Sequence, residues 1–182
     1  MNLTIQTFEN ILSIPLCEDI IERFEDSNND DNNDVSLTKV IPKEAEGWKK
    51  IEHKLYLELL KQLFLYKSVL LTSINNIENN KMISLLSNDI YLYDFRVEKY
   101  VPSNNTQSEQ NRNRENNRHN VITFIYFLNN ISTGGEIVVN DVKINSKQGT
   151  LLLFPDDYNA RYNPPCSNCQ YTVTGQLFTH HK

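Results

Sequence analysis

The chain has 182 residues, 39% of them hydrophobic, with nine Tyr and eight Phe, enough to fill the core of one globular domain. A net charge of −5 and a pI near 5.4 exclude unspecific affinity for nucleic acid or an anionic membrane as its organising property. Three cysteines make no disulfide framework, and no apolar run approaches a membrane span.

The opening "MNLTIQTFENILSIPLCEDI" lacks a basic segment followed by a continuous apolar stretch. The chain is therefore expected in the cytoplasm, with the nucleus left open. Within it, "LTIQTF" suits a short strand. A helix follows, with Ser13 at its N-cap, Pro15 in its first turn, and Leu16, Ile20, Ile21 and Phe24 on one apolar face. Cys17 lies on that apolar side and is expected in the core. Residues 25–36, "EDSNNDDNNDVS", form an acidic polar loop. Calcium binding by those carboxylates would need a turn glycine and a closing glutamate, and the stretch has neither.

Trp48, Ile51, Leu55, Leu59, Leu63, Tyr66 and Leu70 recur at helical spacing, so a long amphipathic helix is expected to lie against a sheet. His53 falls among charged residues of that helix and should face solvent. Beyond it the period changes to two. "DIYLYDFRVEKY", "ITFIYFLN", "EIVVNDVKIN", "GTLLLF" and "QYTVTGQLF" each read as a strand. Turns at Thr133–Gly135, Lys147–Gly149, Pro155–Asp157 and Asn163–Pro165 separate them. Between the first two strands lies an Asn/Arg-rich polar loop, residues 103–120, which takes many of the chain's 25 asparagines. Helices followed by many short strands indicate an α+β fold with a sandwich or barrel at the C-terminal end. One domain over residues 1–182 is expected.

Two small clusters suggest sites. Cys166 and Cys169 form a C-x-x-C, but zinc needs two further ligands, and the strand Tyr171–Phe178 would carry His180 and His181 ~26 Å away. The pair also sits in a turn instead of at a helix N-terminus, which disfavours redox work. Arg112, Arg114 and Arg118 give the polar loop local positive charge, diluted by Glu109 and Glu115, so nucleic acid is an unlikely partner.

Several fragments, in order, resemble the iron- and 2-oxoglutarate-dependent oxygenases of the prolyl-4-hydroxylase-like branch. "FENILSIPLCEDII" is similar to the family's opening strand and helix, and "FRVEKYVPS" to the strand leading into its metal site. "ITFIYFLNNISTGGEIVVN" is similar to the pattern T-x-x-x-Y-L-N followed by G-G-E-T. "INSKQGTLLLFPDDY" and "NPPCSNCQYTVTGQLF" resemble its later hairpin and last barrel strand. The resemblance implies a double-stranded β-helix, a jelly-roll or cupin-like barrel, with N-terminal helices packed on one sheet.

In such enzymes two His and one carboxylate hold Fe(II), the first pair as H-x-D, and an Arg or Lys binds 2-oxoglutarate. Here none of the four histidines, His53, His119, His180 and His181, begins an H-x-D or H-x-E. The H-x-D position falls at Glu109 to Asn111, Arg161 stands nearest the second His, and Gln170 stands where the cofactor's basic partner belongs. No catalytic residue, resident metal or cofactor is therefore expected, and His119, Cys166 and Cys169 are the remaining metal candidates. The resemblance then implies a catalytically inactive fold that binds a host or cellular protein, as viral proteins similar to host hydroxylases do, through the barrel mouth and the Pro102–Asn120 loop. One alternative is an active Fe(II)/2-oxoglutarate-dependent prolyl hydroxylase with atypical ligands among Glu109, His119 and Arg161. Another is a small-anion binder in which Arg96 or Arg161 holds the charge and Tyr126 and Tyr171 line the pocket. Oligomeric state is open.

Overall fold

The computed structural model describes residues 4–27, 37–42, 45–72, 89–92, 94–102 and 120–179. In chain order the elements are β1 (Gln6–Phe8), α1 (Ile14–Asp26), β2 (Leu37–Val40), α2 (Glu46–Thr72), β3 (Ile90–Leu92) and β4 (Arg96–Tyr100). Then follow β5 (Asn120–Phe127), β6 (Ile137–Val139), β7 (Val142–Ile144), β8 (Leu151–Pro155), β9 (Ala160–Tyr162) and β10 (Gln170–Thr179).

Helix α1 begins where Ser13 holds extended backbone (φ −70°, ψ 149°) and Pro15 fits the first turn. Ser13 is the N-cap by position, but its hydroxyl makes no capping hydrogen bond. The helix runs two residues further than its apolar spacing indicates. Glu25 and Asp26, expected in the acidic loop, are helical. In α2 all seven of the periodic residues from Trp48 to Leu70 are buried, and His53 is exposed as expected.

The strands form two sheets. The larger has the order β1-β8-β5-β10-β4-β2, with β3 also paired to β10; the smaller has the order β7-β6-β9. All the strand pairs are antiparallel. The sheets face one another without joining into a closed barrel, and both helices pack on the outer side of the larger one.

Two expected strands are each two elements. "DIYLYDFRVEKY" divides into β3, which pairs with Leu177–Thr179 at one end of β10, and β4, which pairs with Gln170–Thr174 at the other. "EIVVNDVKIN" is the β6–β7 hairpin, turning at Asn140 and Asp141 with φ of 43° and 67°. Asn and Asp tolerate that left-handed conformation, and a two-residue loop needs it twice. Strands β2 and β9, three or four residues long, have no counterpart in the sequence reading.

Every residue of β5 is buried, because both faces of the large sheet are covered. Phe124, Tyr126 and Leu128 join the core against α1 and α2. Ile125 and Phe127 join a second core between the sheets, with Leu152, Phe154, Ile137, Val139, Ile144 and Tyr162.

An ion pair between a buried lysine and a half-buried glutamate fixes the end of α1 to the sheet. Lys99, whose side chain is 6% exposed, places Nζ 3.0 Å from Glu25 Oε1 and 5.9 Å from the centre of the Tyr171 ring. The Tyr171 hydroxyl donates to Glu25 Oε1 at 2.7 Å, and the ring meets Phe24 edge-on. Burial, then the Glu25 carboxylate, pushes that hydroxyl's pKa up. Removing one partner of a buried pair strands the other, whereas replacing a charge with apolar volume is well tolerated. Glu25→Ala should therefore lower unfolding free energy by ~2 kcal/mol, and Lys99→Met by less than ~1 kcal/mol, measured by urea denaturation.

Candidate functional site

Strand alternation decides which side chains face the space between the sheets. On β4, Phe95 and Val97 belong to the helix-side core, so Arg96, Glu98 and Tyr100 face inward. On β10 the inward set is Gln170, Thr172, Thr174 and Gln176, because Val173 and Leu177 face the helices. On β5 and beyond β8 it includes Thr123 and Asp156.

These polar groups satisfy one another. Glu98, nearly buried, accepts hydrogen bonds from Tyr100 Oη (2.7 Å), Thr174 Oγ1 (3.1 Å) and Thr172 Oγ1 (3.4 Å). Tyr100 then stacks on Tyr162 of the smaller sheet, with centroids 5.9 Å apart and planes 10° from parallel. Asp156 Oδ1 accepts from Thr123 Oγ1 and from Gln176 Nε2, each at 2.7 Å. Two carboxylates thus stand on the inner face, each held by neutral donors. Arg96 differs: it is half-buried beside Thr174 and Val40, and among the described residues none gives it a hydrogen bond or ion pair.

Gln170 and Arg161, which the sequence resemblance set at functional positions, make the following contacts. Gln170 is buried and donates from Nε2 to the Gly135 carbonyl at 2.7 Å. Gly135 has φ 69°, and a Cβ there would lie 2.9 Å from Ile131 Cγ2, so the Thr133–Gly135 turn needs glycine at that position. Arg161 points out of β9 into solvent, with Nη2 3.4 Å from Asp141 Oδ1. Its neighbour Tyr162 is the residue that points in.

Two pocket candidates are corrected. Tyr126 does not line the inter-sheet space; it is fully buried on the helix side, donating to the Leu55 carbonyl at 3.0 Å. Tyr171 shares that side, bound to Glu25. Their parity on β5 and β10 turns both away, and Arg96 alone of the three candidates faces inward. Glu109, Asn111, His119, His180 and His181, the three loop arginines and nearly all of both polar loops lie outside the described residues.

The fit to an iron site can be tested on these donors. Among the described residues no three His, Cys, Asp or Glu converge on a point that could hold a metal. The one described histidine, His53, lies on the exposed side of α2, and both inward carboxylates already accept hydrogen bonds. The described residues do not fit a two-imidazole, one-carboxylate set, nor does the Gln170 amide replace a cation. Glu98, Asp156 and their donors had a faint signal in the sequence, the alternation R-x-E-x-Y and T-x-T-x-Q, which reads equally well as a solvent face.

Cys166 is exposed in the β9–β10 loop, Cys169 is half-buried, and both are free thiols. Cys17 is fully buried, and burial pushes its thiol up to about 11. In the folded protein a thiol reagent at pH 8 should modify Cys166 and Cys169, and Cys17 should react only after denaturation. Asp156→Ala should cost ~2 kcal/mol in a urea melt, because Thr123 and Gln176 lose their common acceptor.

No protein-family model and no curated protein sequence matches the chain. Solved structures do. A viral collagen prolyl hydroxylase from Paramecium Bursaria Chlorella virus-1, in complex with 2-oxoglutarate, superposes with a TM-score of 0.67 at 15% identity, covering 98% of this chain and 97% of that one. A prolyl hydroxylase from Trichoplax adhaerens, bound to a hypoxia inducible factor peptide, gives 0.60 at 16% identity over 98% and 84%. A Pseudomonas putida prolyl-4-hydroxylase gives 0.57 at 16% identity over 98% and 94%. The chain has the fold of the prolyl-hydroxylase-like oxygenases.

Proposed function

We propose that this prolyl-hydroxylase-like fold serves as a protein-binding module without iron chemistry. The observation that carries the reading is Gln170. At the place of the cofactor's cation stands a neutral amide, and its Nε2 is committed to the Gly135 carbonyl. The inward residue of β9, Tyr162, stacks on Tyr100 where an enzyme would need a ligand. The Trichoplax structure with the same fold holds a peptide, which supports a peptide or protein segment of a cellular partner as the occupant of this face. On this reading the segment would lie at the mouth between the two sheets.

A second reading rests on Arg96. A half-buried guanidinium on the inner face, without a partner among the described residues, suits a small carboxylate held without metal.

Thermal melts separate these readings. A ligand at a hundred times its Kd adds ~2.7 kcal/mol of stability. The module should show no shift with Mn(II), with 2-oxoglutarate, or with both. A shift that needs both together would establish the active-site reading. A shift with 2-oxoglutarate alone that Arg96→Met abolishes would establish the small-anion reading.

A further inference from the structure

Helix α2 carries a second apolar face. Its first buries seven residues, as described above, yet Leu57, Leu60, Phe64 and Leu71 are exposed on the other side, Phe64 at 71%, while Tyr56 and Leu65, also exposed, lie off that line. A helix of a folded domain normally presents polar residues there. Exposed leucines scattered singly carry no meaning, but these four are three, four and seven residues apart, the spacing of a coiled-coil seam. Lys67 takes the one intervening seam position, and Lys50 and His53 extend the seam toward the helix start.

On the helix itself the rim of that seam has one sign, and off it Asp89 lies close enough to Lys67 to act on its charge. Lys54 and Lys61 flank it, both exposed, and the only exposed acid of the helix is Glu46 at its first turn. Glu52 and Glu58 are half-buried, and Glu58 meets Lys61 at 2.7 Å within the helix, an exposed pair worth little. Five lysines against three glutamates make α2 basic in a chain of net charge −5.

We propose that this face docks an amphipathic helix of a partner protein, with apolar residues in its seam and acidic residues along its rim. The surface lies on the far side of the large sheet from the inter-sheet space, so the inference goes beyond the function proposed above and does not depend on what that space holds. A second copy of the chain fits poorly. Antiparallel pairing about the midpoint of Leu60 and Lys61 sets Lys54 against Lys67, and parallel pairing sets Lys50 against Lys50. An anionic membrane fits poorly too, because the seam is narrow and the chain as a whole is acidic.

The test uses the full chain and labelled synthetic peptides of three heptads, with Leu in the seam and Glu along the rim, or Lys along the rim. Fluorescence anisotropy should show the Glu peptide binding at least about tenfold more tightly than the Lys peptide, with affinity falling as salt rises. Phe64→Ser and Leu60→Ser should each weaken binding about tenfold and leave circular dichroism unchanged, since both side chains are exposed. Equal binding of the two peptides, no binding of either, or an unchanged affinity in Phe64→Ser would overturn the proposal. So would a concentration-dependent dimer that Phe64→Ser abolishes, which would give the face to a second copy. Sedimentation with phosphatidylserine and phosphatidylcholine vesicles, without peptide binding, would give it to a membrane.

Discussion

The parity of side chains along the large sheet governs the architecture. Its central strands, β5, β10 and β8, are covered on both faces, so each residue belongs either to the helix-side core or to the space between the sheets. A shift of one residue in register would exchange the two sets, placing Thr123, Thr172 and Thr174 against α2 and Tyr126 between the sheets. The hydroxyls and amides of the inner set would then lose Glu98 and Asp156 as acceptors, at a cost of roughly 1–3 kcal/mol for each buried donor. Register, core and candidate site are therefore one constraint.

That constraint also shapes the chemistry of the inner face. Two carboxylates there are held by five neutral donors arranged across β4, β5 and β10. Such a network favours a fixed polar surface over an open coordination site, because a metal would have to displace bonds already made. Among the described residues Arg96 is an inner-face group without a partner. The fold is shared with solved prolyl hydroxylases, and a shared fold alone does not carry their activity to this chain.

Sequence reading reached the elements whose signals are long or strongly coded. The seven buried residues of α2 stand at the spacing that identified them, and Pro15, Gly134, Gly135 and Gly149 mark the ends and turns they predicted. Short elements escaped, since the three or four residues of β2 and β9 are below the length at which alternation differs from chance. The β6–β7 hairpin escaped because its two-residue turn, Asn140-Asp141, carries no glycine or proline to mark it. The facing of Tyr126 and Tyr171 was not legible for a different reason: in strands buried on both sides, composition is apolar in both parities and only pairing separates them. Glu25, set aside with an acidic loop, is in the structure the counter-ion of a buried lysine.

The central claim is that the inner face performs no iron-dependent oxidation. Incubating the purified chain with Fe(II), ascorbate, oxygen and 2-oxoglutarate, and following succinate by proton NMR, tests it most directly. The account predicts succinate no faster than in protein-free buffer. Repeated turnover, abolished by removing the iron, would contradict it.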